Sequence, residues 1–177
     1  MTIDDPFVKA LVLSLAALAS AAEATSRMPA ARVDDDAGVP CLSIPSEELG
    51  DSPARVYSIV VSELRSKDWR SLPEALWTVR ADEPSVGFEL KPGTCFPYGR
   101  TPPGATAATP ARALSIGRIY GASLNARVRG SETALVYRKE FCVQGPADSA
   151  RVAAIPWDEA ARRWRYDLCS EGNKRLP

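Results

Sequence analysis

Arg55-Val56-Tyr57-Ser58-Ile59-Val60-Val61-Ser62-Glu63-Leu64 holds four β-branched residues and one aromatic in ten positions. Side chains stiff at χ1 crowd a helix and sit well on a pleated surface, so this stretch predicts a long strand. Similar pieces lie on either side. Residues 40–45 alternate around proline boundaries and predict a first strand, residues 74–80 carry Leu76, Trp77 and Val79, and residues 86–90 alternate apolar with small or polar. Pro92-Gly93 makes a tight turn before residues 95–98 resume extended structure. Residues 118–129 and 134–143, joined at Gly130-Ser131, predict a hairpin, and residues 151–157 and 163–169 predict a second one across Asp158-Glu159-Ala160-Ala161-Arg162. An amphipathic helix over 157–166 is the competing reading of that last stretch, set aside because Trp164, Tyr166 and Leu168 alternate with Arg163, Arg165 and Asp167.

Fifteen prolines and eleven glycines cut the 177 residues into short pieces, and no long 3.6-residue periodicity survives. Short apolar runs between regular turn signals predict an all-β fold, an immunoglobulin-like β-sandwich of antiparallel strands. The exceptions are loops. Residues 46–53 and 65–73 are polar, and residues 99–112 are rich in proline and glycine on an Ala/Thr background, which reads as a loop without a core face.

Residues 10–24, ALVLSLAALASAAEA, form a short apolar run ending in small residues. About 13 apolar positions are too few for a permanent membrane crossing, which takes about 20. They suit the central region of a secretory signal, with Ala19-Ser20-Ala21 and Ala22-Glu23-Ala24 as small-x-small cleavage patterns. A buried N-terminal helix of a cytosolic domain fits less well, because residues 11–22 are apolar all round apart from two serines. The division expected is a signal peptide over 1–24, a flexible polar lead-in over 25–38, and one sandwich domain over 39–177. No cysteine follows the apolar run before Cys41, so the expectation is a periplasmic protein that is neither lipidated nor stably membrane-anchored.

The 22 basic and 22 acidic residues cancel; with one lysine and three acids in 1–24, the remainder nets +2. That is no footprint for nucleic acid, and Arg162, Arg163 and Arg165 read as the charged outer face of a hairpin. Histidine is absent, which removes the commonest general base and the commonest metal ligand. No G-x-S-x-G elbow occurs. The pairs Glu47-Glu48, Asp82-Glu83 and Asp158-Glu159 are neighbours that a strand would send to opposite faces, so they read as solvated turns. No catalytic residue, cofactor or metal is expected. Cys41, Cys95, Cys142 and Cys169 allow three disulfide pairings, and their spacings contain no zinc knuckle. The preferred set is Cys41–Cys95 with Cys142–Cys169, the latter pair ending two strands with a hairpin between them.

Cys41-Leu42-Ser43-Ile44-Pro45, Glu74-Ala75-Leu76-Trp77, the run Leu90-Lys91-Pro92-Gly93-Thr94-Cys95-Phe96-Pro97-Tyr98-Gly99, and the stretches 117–128 and 137–143 together form a pattern. Over roughly residues 39–143 the chain resembles the type VI secretion immunity proteins of the periplasm, small sandwich-like domains encoded beside antibacterial effectors. The resemblance implies a Cys41–Cys95 bridge and stoichiometric inhibition of a cognate secreted effector toxin. Many such relatives look like lipoproteins, a feature this chain lacks, and the tail over 145–177 is an addition to the pattern. The alternative function is an envelope-assembly or structural sandwich module without a toxin partner. For the toxin contact, the expected residues are Lys67, Asp68, Trp69 and Arg70 in one loop and Tyr98 and Arg100 at the head of another. Trp69 is either an exposed anchor or a lid, while Trp77 and Trp164 are expected in the core.

Overall fold

The computed structural model describes residues 29–64 and 74–169. The expected signal peptide and the loop carrying Lys67, Asp68, Trp69 and Arg70 lie outside the described residues. The strands, in chain order, are β1 (Arg32–Asp36), β2 (Val39–Ser43), β3 (Ala54–Glu63), β4 (Ala75–Ala81), β5 (Phe88–Leu90) and β6 (Phe96–Pro97). They continue with β7 (Ala105–Thr109), β8 (Ile119–Arg127), β9 (Leu135–Gln144), β10 (Arg151–Ala154), β11 (Trp157–Asp158) and β12 (Arg163–Trp164). A helical turn, α1 (Ser46–Leu49), and a 3-10 turn at Tyr166–Cys169 complete the described elements. All strand pairing between these elements is antiparallel, and the fold is a disulfide-stapled sandwich of a large and a small sheet.

The large sheet runs β10-β9-β8-β3-β4-β7, with β5 sharing an edge of β3 beside β4. Strand β3 is its centre. Ala54, Val56, Ile59 and Val61 are fully buried, so the alternation changes phase between Val56 and Ile59. The cause is a bulge: Val56 faces Ala126 and Ser58 faces Asn125, leaving Tyr57 as the extra residue. Downstream of it, Val79, Ile59, Leu124 and Tyr137 form one rung across four strands, and Trp77, Val61 and Ala122 form the next.

The small sheet, β1-β2-β6, supplies Val33 and Leu42, register partners that enter the same core with Ile44 and Leu49. Two edge-to-face aromatic pairs join the layers. Trp77 meets Tyr98 at 5.2 Å between ring centroids, and Phe88 meets Phe96 at 5.3 Å. Such pairs contribute about 0.5–1.5 kcal/mol beyond their burial. Cys41 bridges Cys95, and Cys142 bridges Cys169, as the preferred pairing has it. Closing loops of this size stabilises a fold by about 2–4 kcal/mol per bridge, mostly by restricting the unfolded chain.

Three segments differ from expectation. Within the polar lead-in, residues 32–36 form strand β1. A two-residue loop turns it into β2 with Ala37 and Gly38 both at positive φ, a hairpin signal that the acidic run Asp34-Asp35-Asp36 masks. Gly38 cannot carry a side chain, since a Cβ there would stand 2.8 Å from the Ala150 carbonyl oxygen. Within residues 99–112, β7 pairs with β4 through backbone bonds, which Ala and Thr side chains do not advertise. Finally, residues 163–169 do not form one strand. After β12 the chain curls into the 3-10 turn that delivers Cys169 to Cys142.

Both edges of the large sheet are protected. Beside β10, the Asp35 carboxylate accepts the Val152 N–H at 2.8 Å and the Gly38 N–H at 3.1 Å. Strand β7 is short, bulged opposite Thr78/Val79 and bracketed by Pro103 and Pro110. Replacing Trp77 by alanine empties the joint between the layers and should lower unfolding free energy by about 3–5 kcal/mol in denaturant titrations. The Tyr137 hydroxyl is buried and, among the described residues, has no hydrogen-bond partner. Tyr137→Phe should therefore leave stability unchanged or raise it by up to about 1 kcal/mol in the same measurement, whereas a drop of that size would show a hidden partner.

Candidate functional site

Two open clefts flank the β9–β10 turn. One, of about 600 Å³, is lined by Ile116, Gly117, Gln144, Arg151 and Cys169 among others. The second, of about 510 Å³, holds Asp35, Asp148 and Arg151. Asp35 already accepts two backbone N–H groups, so it is spent on the sheet edge. One member of each of two acidic pairs noted in the sequence is structural too: Asp82 accepts the Thr106 hydroxyl at 2.6 Å, and Asp158 accepts the Ala161 N–H at 2.9 Å.

The surface with the strongest binding chemistry is an arm that runs from Pro156 to Cys169 over the outer side of β9. Its hairpin pairs Trp157 with Trp164 and Asp158 with Arg163. The two indoles meet edge to face at 5.4 Å, a cross-strand contact that stabilises so small a hairpin. Each tryptophan nevertheless keeps 37% of its surface exposed, and Leu168 keeps 41%. Trp164, expected in the core, is thus a surface residue; its strand is two residues long and has no second sheet above it. The Lys139 ammonium stands 5.8 Å from the Trp164 ring centroid.

Polar contacts brace the arm from within. Arg165 binds the Asp167 carboxylate with Nε at 2.9 Å and Nη2 at 2.8 Å, and its backbone N–H donates to the Pro156 carbonyl at 3.0 Å. The guanidinium holds the Asp167 carboxyl below the usual carboxylate range. Arg162 closes the turn at a φ of 48°. The arm meets β9 through a small apolar cluster of Cys142, Ile155 and Cys169, with Ile119, Ala153 and Tyr166 around it. The Tyr166 hydroxyl donates to Glu140 Oε2 at 2.6 Å, and the Ile155 N–H donates to the Glu140 carbonyl at 2.9 Å.

Of the contact residues expected from sequence, Tyr98 and Arg100 lie among the described ones. Tyr98 packs on Trp77, and its hydroxyl donates to the Arg112 carbonyl at 2.8 Å, which makes it a joint between the layers. Arg100 is exposed, and its backbone N–H closes a turn on the Pro97 carbonyl. The structure does not bring these two together with the arm's tryptophans into one described cluster. Trp157 and Leu168 were legible only as parts of alternating strands; what singles them out is the brevity of the hairpin, which leaves their faces uncovered.

The chain matches no family model, no curated protein and no solved structure.

The tyrosines carry a pH signature. Burial pushes the Tyr98 phenol up to about 12 from 10.0, and burial also raises Tyr120, Tyr137 and Tyr166. A phenol raised in the folded state contributes stability that is complete below its unfolded value and fades as pH climbs through the folded one. Unfolding free energy should therefore fall between pH 10 and about 12. Tyr98→Phe should flatten part of that fall in denaturant titrations run across the same range.

Proposed function

We propose that the protein is an exported inhibitor that grips one cognate secreted antibacterial toxin in the periplasm, in the manner of the type VI secretion immunity proteins its sequence resembles. The observation that carries this reading is the exposed pair Trp157 and Trp164, with Lys139 beside the Trp164 ring, on a disulfide-stapled scaffold. Tryptophan and arginine dominate the energetics of protein interfaces, because each joins a large apolar area to a polar handle. A hairpin fixed to a rigid sheet also loses little conformational entropy on binding.

Two disulfides point to an oxidising, extracytoplasmic environment. Among the described residues, no helix is long and apolar enough to cross a membrane. Inhibition by occlusion needs a tight fit and no chemistry, and a chain without histidine is well suited to it.

The test is co-expression of the chain with the product of the reading frame adjacent to its gene, in the periplasm of a sensitive host. Growth should be rescued and the two proteins should copurify as a complex. Trp157→Ala with Trp164→Ala should weaken that complex by about 30- to 1,000-fold, the range of a buried hot spot. The sandwich's unfolding midpoint should shift little, since neither tryptophan belongs to its core. Absence of both rescue and complex would overturn the reading.

A further inference from the structure

The two disulfides serve different bodies. Cys41–Cys95 ties β2 to the segment entering β6, within the layer that closes the main core. Cys142–Cys169 touches that core nowhere; both its residues belong to the separate small cluster beneath the arm. Without it, the arm rests on Ile155, Tyr166, the two hydrogen bonds to Glu140 and the Lys139 ammonium beside the exposed Trp164 ring. A two-stranded hairpin of two-residue strands does not hold itself in water. We propose that the Cys142–Cys169 bridge gates the tryptophan face: oxidation docks and orders the arm, reduction releases it, and the sandwich stays folded in both states. This rests on the reading of that face as the toxin-binding surface and adds its regulation. Before oxidation the inhibitor has a folded body and no assembled grip.

The reductive step is ordinary exchange with a dithiol. One thiolate attacks a bridge sulfur and forms a mixed disulfide, which the second thiol resolves. The protein's S–S bond breaks, two electrons and two protons pass to Cys142 and Cys169, and the dithiol leaves as its own disulfide. Cys142 is fully buried and Cys169 keeps 4% of its surface exposed, at the wall of the open cleft of about 600 Å³, so attack is on the Cys169 side.

The experiment compares the full chain with Cys142→Ser/Cys169→Ser and with Cys41→Ser/Cys95→Ser, without any toxin. Trypsin reads the arm at Arg162, Arg163 and Arg165, and tryptophan emission reports the exposure of Trp157 and Trp164. In the first variant, cleavage at those arginines should accelerate at least tenfold and emission should shift to the red, with the cooperative unfolding transition of the sandwich retained. In the second, the transition should move to lower denaturant while the arm stays protected. Unchanged cleavage in the first variant, or loss of its cooperative transition, overturns the proposal. Should that variant not accumulate, dithiothreitol added to the wild-type chain gives the same readout: tenfold faster arm cleavage before the sandwich unfolds supports the gate, and simultaneous loss of both overturns it. Because no toxin is present, the outcome is separate from that of the co-expression test.

Discussion

The two packed layers of this molecule lean on the inner face of β3. Ala54, Val56, Ile59 and Val61 are fully buried, and the strands on both sides set Trp77, Val79, Leu124 and Tyr137 in rungs across them. The face stays continuous because a bulge at Tyr57 resets the alternation where strict period two would have turned Ile59 outward. Given that face, the small sheet has one way to pack: Leu42 and Val33 point down into it, and Tyr98 and Phe96 lock edge to face on Trp77 and Phe88.

The arm stands apart from this construction. Its hairpin is stabilised by an indole pair, an Asp–Arg brace and one covalent link, none of which adds to the central core. A surface built this way can change its side chains without disturbing the scaffold, because its local contacts are its own. The same separation explains how large apolar residues remain uncovered here while the other aromatics among the described residues are buried or half-buried.

The sequence was most informative where side-chain bulk decides structure. Val56, Ile59 and Val61 announce β3, Trp77 announces β4, and residues 135–143 announce β9; all three strands lie where their patterns put them. The signal fails where backbone bonding decides instead. Asp34-Asp35-Asp36 reads as a solvated run, yet β1 forms because Ala37 and Gly38 turn it tightly onto β2 and Asp35 finds two N–H donors. Ala105-Thr106-Ala107 carries no apolar weight and still completes an edge of the sheet. The candidate site was the least legible part, since Trp77, between Leu76 and Thr78, and Trp164, between Arg163 and Arg165, both sit in strand patterns. One is buried and the other open only because a second layer covers the first, and the pattern within a strand does not encode its neighbours.

The Asp35 carboxylate and the Val152 amide that it accepts are 117 positions apart along the chain. Ala30 likewise bridges Arg138, so the first strand closes against the last ones of the sheet. Contacts of such separation form late, after the intervening loops have been ordered. A nascent chain emerging from its N-terminus holds β1 in waiting until β9 and β10 are made. Until then the β10 edge lacks its seal, so closure of the sheet waits on the last strands the chain supplies.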